Sequence, residues 1–148
     1  MDYQSLSSLC TQVRGDILNM THKAGSGHPG GSLSAVELLV GLYFSGEMAV
    51  DASHPDWEER DRFILSKGHV APVLYSVLAR KGFFRWRSCG PAQAGQHPPG
   101  HPHMGHTPGL DCSSGSLVRG CPLPTVWPWL SGCRKSPTEC TACWETAS

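Results

Sequence analysis

Apolar residues recur at helical spacing near the start of the chain. Leu9, Val13, Ile17 and Met20 fall on one stripe, with Arg14, Asp16 and Lys23 elsewhere on the wheel. The spacing predicts a helix from Ser7 to Ala24, stopped by Gly25 and Gly27 as C-terminal glycines do. A second stretch, "AVELLVGLYF", is apolar on most sides and predicts a deeply buried helix through Phe44. Ser32 or Ser34 is its candidate N-cap, because Glu37 follows Ser34 at capping-box spacing. The polar "MAVDASHPDWEERD" reads as a loop with a His-Pro turn signal. "RFILS", Arg62 to Ser66, is a short apolar run suited to a buried strand. "KGHVAPVLYSVLARKGFF" then turns through Gly68 into another helix that ends at Gly82. Helix, Gly-rich loop, helix, strand, loop, helix is the rhythm of an α/β layered domain.

Beyond Phe84 neither period is sustained, and the composition changes with it. Residues 1–84 hold nine of the twelve acidic residues but only three of the twelve prolines. Residues 85–148 hold nine prolines, six of the seven cysteines and four of the five tryptophans, with only six Leu, Ile, Val or Phe. So few aliphatics among so many prolines cannot build a sizeable core. The C-terminal third is therefore expected to be irregular. The expected organisation is a folded part over 1–84, an irregular stretch over 85–99, a loop segment over 100–117 and a second irregular stretch over 118–148.

Charge and length narrow the function classes. At 148 residues the chain suffices for one domain. A formal net charge of zero argues against nucleic-acid or membrane-surface binding through bulk electrostatics. No apolar run approaches the ~20 residues of a membrane span, and the first turns lack a signal peptide's continuous apolar core. The expectation is a soluble, cytoplasmic protein.

The candidate chemistry lies in three Gly-His turns. "GSGHPGG" places His28 among glycines that let backbone amides approach a ligand, directly before a helix N-terminus that favours anions. A histidine there can donate to a phosphate or a substrate hydroxyl and exchange protons near neutral pH. The plainer alternative is a turn whose histidine only caps a helix. "SKGHVAP" repeats the theme with His69 at the end of the expected strand, where α/β folds bind ligands. Its plainer alternative is a surface histidine capping the next helix. "GHPHMGHTPGLDCSSGSL" supplies a third Gly-His pair at His101, a Thr-Pro-Gly turn and a Gly/Ser loop.

Taken together, "GDILNMTHKAGSGHPGGSLSAVELLVGLYF", "ERDRFILSKGHVAPVLYSVLARKGFF" and "GHPHMGHTPGLDCSSGSL" resemble the N-terminal, diphosphate-binding portion of transketolase. The likeness is greatest to the form split into two subunits. It runs from about residue 8 to Phe84 and resumes from Gly100 to Leu117. "GSGHPGGSLS" with "LSKGHVAP" favours transketolase over deoxyxylulose phosphate synthases and dehydrogenase E1 components. The resemblance implies thiamine diphosphate, a divalent metal such as Mg2+ or Ca2+, and transfer of a two-carbon ketol unit from a ketose phosphate to an aldose phosphate. It implies a layered fold with a parallel sheet, a C-terminal transketolase section or subunit as partner, and a homodimer of the intact enzyme. It places His28 and His101 at the substrate as catalytic residues, His69 beside the cofactor diphosphate, and Gly115, Ser116 and Leu117 in a cofactor loop. Neutral imidazole suits such positions, since it accepts one proton while donating another.

After Leu117 the family pattern continues with a Gly-Gln-Gly turn, a helix, a strand and a Gly-Asp-Gly metal motif, none of which stands in this chain. Loss of one guanine after the Leu117 codon would account for this, because Val118 to Ser148 back-translates to those four features in order. The 85–99 stretch shifts similarly, and the frame returns near Gly100. The expectation is a truncated, frameshifted transketolase fragment with no metal-ligating residues of its own and no activity alone. Two alternatives stand beside it. One is a non-catalytic transketolase-like binding fragment. The other is a small zinc module from Cys121, Cys133, Cys140 and Cys143 with His101, His103 and His106, although only Cys140-x-x-Cys143 has ligand spacing. A disulfide-rich secreted domain is disfavoured by the odd cysteine count.

Overall fold

The computed structural model of the chain describes residues 1–65, 67–85 and 107–111. Four α-helices and one 3-10 turn follow in order: α1 (Tyr3–Ala24), α2 (Pro29–Ser34), α3 (Val36–Phe44), the turn Gly68–Val70 and α4 (Ala71–Lys81). The stretches 85–99, 100–117 and 118–148 of the expected organisation lie outside the described residues, Arg85 and residues 107–111 excepted.

α4 is the central helix, packed against α1, α2 and α3. Its sequence is apolar around most of its circumference, and Val73, Leu74, Val77 and Leu78 are all at most 1% exposed. Val13 and Ile17 of α1 and Val36, Leu39, Val40 and Tyr43 of α3 complete the core against it. Two helix ends follow the sequence reading. Gly25 closes α1 at φ 62°, its N–H donating to the His22 carbonyl. Gly82 closes α4 at φ 103°, where the Gly82 and Phe83 amides both donate to the Leu78 carbonyl. α1 begins at Tyr3 rather than Ser7, because "YQSL" contains no glycine or proline to stop the helix from extending.

The predicted second helix is two helices. α2 starts at Pro29, whose missing amide and fixed φ suit a first helical position, and the chain breaks at Ala35 before α3 resumes. Neither serine caps it. Ser34 Oγ donates to the Gly31 carbonyl at 2.8 Å, and Glu37 pairs with Arg14 of α1 instead of closing a capping box. Nor is α3 buried all round, since Leu38 is 40% exposed.

The strand expected over Arg62–Ser66 does not form between Arg62 and Leu65, and no strand occurs among the described residues; Ser66 lies outside them. A strand exists only through a ladder with a neighbour. Here side chains take the ladder's place. The Phe63 amide donates to Asp111 Oδ2 at 2.8 Å, and the Ala49 amide to Asp61 Oδ2 at 2.7 Å. Phe63 still points into the core, meeting the Tyr43 ring edge-on at 5.9 Å.

Candidate functional site

Two of the three Gly-His turns meet. Gly31, in the first turn of α2, lies against the 3-10 turn that carries His69. A Cβ placed on Gly31 would come within 2.8 Å of Val70 Cγ1 and 3.6 Å of His69 Nε2. Val70 is fully buried and β-branched, so it cannot yield. Glycine at 31 is thus what lets "GSGHPGG" close onto "SKGHVAP".

His28 occupies the N-cap position of α2 at φ −117° and ψ 100°, yet its side chain makes no cap hydrogen bond. His28 thus stands at the cap position without its ring closing the helix end. His69 is not a cap either, since the N-cap of α4 is Val70. Both imidazoles are exposed; the His69 ring lies near Gly31, three residues after His28, and a Cβ on the intervening Gly30 would meet nothing within 4 Å. Beneath them Ser32 is wholly buried, and its Oγ has no hydrogen-bond partner among the described residues. A buried hydroxyl left unpaired costs about 1–3 kcal/mol, so it marks a place where a partner would be favourable. A cavity of about 90 Å³ adjoins the region, lined by Gly31 and Ser34 on one side and by Phe63, Leu65 and Val70 on the other.

His101, Gly115, Ser116 and Leu117 lie outside the described residues, as do the cysteines and histidines of the zinc alternative. The Thr-Pro-Gly turn between them is described. The Leu110 amide donates to the Thr107 carbonyl at 3.2 Å, with Gly109 at φ 80°. Phe83 packs onto Gly109 so closely that a Cβ there would stand 2.6 Å from its ring. Thr107 Oγ1 is a second buried hydroxyl with no partner among the described residues.

Sequence reasoning passed over the group that holds this turn. Asp111 Oδ1 accepts from Arg60 Nη2 while Oδ2 accepts from the Phe63 amide, and both side chains are under 10% exposed. Arg60 also donates through Nε to the Pro55 carbonyl at 2.6 Å and through Nη1 to the Asp61 carbonyl at 3.0 Å. The only sequence signal was a charged residue in the polar stretch before an apolar run and another directly after a tight turn. Such residues usually lie on a solvated surface.

The comparisons with known proteins address the same segments. The family model described as transketolase, thiamine diphosphate binding domain, matches residues 7–125. The chain belongs to this family. It is 46% identical over 109 residues to the 6-deoxy-6-sulfo-D-fructose transketolase subunit SqwG of Clostridium sp. (strain MSTE9), covering 73% of this chain and 39% of that protein. It is 38% identical over 129 residues to the transketolase of Bacillus subtilis (strain 168), covering 81% of this chain and 18% of that one. Among solved structures it resembles transketolase from Leishmania mexicana, with a TM-score of 0.68 and 29% identity over 76% of this chain and 17% of that chain. The chain therefore spans well under half the length of the transketolases it matches.

The described residues suit one of the groups this family implies and not the other. Two exposed imidazoles, an open glycine turn and an unpaired buried hydroxyl fit an anionic, hydrogen-bonding ligand such as a diphosphate. No cluster of three or more His, Cys, Asp or Glu side chains able to hold a metal ion occurs among the described residues. No metal step is derived from them. No described helix is long and apolar enough to cross a membrane.

Proposed function

We propose that this chain carries the diphosphate-binding portion of an enzyme that transfers a two-carbon ketol unit from a ketose phosphate to an aldose phosphate. The observation behind the proposal is the contact of Gly31 with the His69 turn, which joins two motifs separated by forty residues into one surface. Thiamine diphosphate, when bound, would supply the nucleophilic carbon for the ketose carbonyl and the ring that takes up the electron pair released as the carbon–carbon bond breaks. His69 and the glycine turn hold the diphosphate end. His28 donates to and accepts from substrate hydroxyls, since neutral imidazole does both. His101 acts with it at the two-carbon unit, and Gly115, Ser116 and Leu117 form a loop over the cofactor. A magnesium or calcium ion for the diphosphate would be held by residues this chain lacks as written, so the isolated chain turns nothing over.

The same reading extends to fold and setting. Arg62–Leu65 joins a parallel sheet once its neighbouring strands are in place, the C-terminal transketolase section completes the site, and the intact enzyme is a cytoplasmic homodimer. The test is a coupled ketol-transfer assay on the frame-restored chain supplied with that C-terminal section. Ketol transfer that is lost in His28→Gln and His69→Gln supports the proposal. Full activity in both variants contradicts the assigned roles. Saturable zinc uptake by the chain as written, with a change in its fold, favours the zinc module instead.

A further inference from the structure

We infer that Asp111 is a positioning residue for His69. The inference rests on the reading of His69 as a diphosphate contact. The Thr107–Asp111 turn touches the His69 unit on both sides of it in the chain. Before His69, the Asp111 carboxylate accepts the Phe63 amide at 2.8 Å and holds Arg60, whose other two donors fasten the loop at Pro55 and Asp61. After His69, the unit continues into α4 and ends at Phe83, whose ring covers Gly109. Leu110, between these two contacts, is buried in the core.

His69 itself is exposed, and none of the hydrogen bonds described above involves its ring. Its position therefore depends on where the 3-10 turn sits: Val70 anchors that turn in the core against Gly31, and the Thr107–Asp111 turn acts on the chain that enters it from Phe63 and leaves α4 at Phe83. Because both Asp111 oxygens are used, an asparagine of the same shape must lose an acceptor: its amide faces either the Arg60 guanidinium or the Phe63 amide, donor against donor. The path to His69 starts to slacken at Phe63. A buried carboxylate in this arrangement sets geometry more than it adds stability.

The experiment uses the full 148-residue chain and the ring resonances of its histidines, with His69 assigned through His69→Gln. Each protein is titrated with inorganic pyrophosphate, whose weak, metal-independent binding is read from the His69 ring. Asp111→Asn and Arg60→Lys are compared with Ser76→Ala, which removes a buried hydrogen bond to Asp16 on α1, away from the turn. The expected result is a displaced His69 resonance and several-fold weaker pyrophosphate response in Asp111→Asn and Arg60→Lys, with Ser76→Ala like the parent despite a lowered melting temperature. If either folded variant keeps the parent's His69 resonance and response, or Ser76→Ala moves them equally, Asp111 has no positioning role. A parent chain that ignores pyrophosphate while Asp111→Asn still displaces the His69 ring contradicts the diphosphate reading and leaves the positioning role standing. Should Asp111→Asn fail to fold, Arg60→Lys decides alone, since it keeps the charge and loses only the fork.

Discussion

At the level of single residues, the structure turns on atoms that are missing as much as on those present. Gly31 has no side chain, and the contact between the two Gly-His turns depends on that. Gly31→Ala would drive a methyl to 2.8 Å from Val70 Cγ1, and overpacking of this kind costs ~1–3 kcal/mol. The expected outcome is a lowered denaturation midpoint together with a displaced His69 ring resonance. An unchanged midpoint would mean that α2 shifts freely. Tyr43 offers a second check. Burial pushes its hydroxyl well above the ordinary tyrosine value, and the nearby Asp111 charge adds to the effect. The folded state keeps this proton where the unfolded chain would lose it, so stability is intact below about pH 10 and falls as pH rises above that value. Tyr43→Phe should flatten that alkaline decline, measured as the urea midpoint against pH. An equally steep decline in the variant would mean that Tyr43 does not ionise on unfolding in this range. His28 and His69 were legible as candidates because each directly follows a glycine in a turn just before a helix. Arg60 and Asp111 were not, because nothing local distinguishes a buried charge from a solvated one until its partner fifty residues away is known.

Between elements, a polar contact and an apolar one join the same pair of helices. Asp16 on α1 accepts from Ser76 Oγ at 2.8 Å and from Arg80 Nε at 2.5 Å on α4, while Arg80 Nη1 reaches Gln12 at 2.5 Å. Asp16→Ala would strip acceptors from a buried hydroxyl and a half-buried guanidinium. That should cost ~1–3 kcal/mol, discounted toward the lower end because Arg80 is 26% exposed. The urea midpoint measures it, and a loss much below this range would show that water replaces the carboxylate. Helix α1, its glycine stop and α4 with its Gly82 end were legible from periodicity and C-cap chemistry. The break at Ala35 was not. "GGSLSAVELLVGLYF" offers continuous helix-compatible residues, and only the packing of α2 onto the 3-10 turn, apart from α3, separates them. "RFILS" has a strand's composition, but a parallel strand needs partners that arrive through a long crossover. Here the amide of Phe63 is met by the Asp111 carboxylate instead.

On the scale of the whole molecule, the chain belongs to the transketolase family over residues 7–125 and covers 18% of the Bacillus subtilis enzyme. The family and its cofactor class were legible because three motifs stand in order at their spacings, a signal that survives where composition and periodicity fade. The proposed site within it has two halves. The glycine-histidine surface is built by α2, the 3-10 turn and the Asp111 clamp. On that proposal the metal-holding half would follow Leu117, where the sequence as written has no Gly-Asp-Gly. Magnesium-dependent binding of the diphosphate should therefore require the restored frame, since oxygen ligands for the ion would come only with it. The decisive measurement is a calorimetric titration of thiamine diphosphate with magnesium into the 148-residue chain and into its frame-restored counterpart. Saturable, magnesium-dependent binding by the restored chain alone, weakened by His69→Gln, is the predicted result. Equally tight magnesium-dependent binding by the chain as written would contradict it.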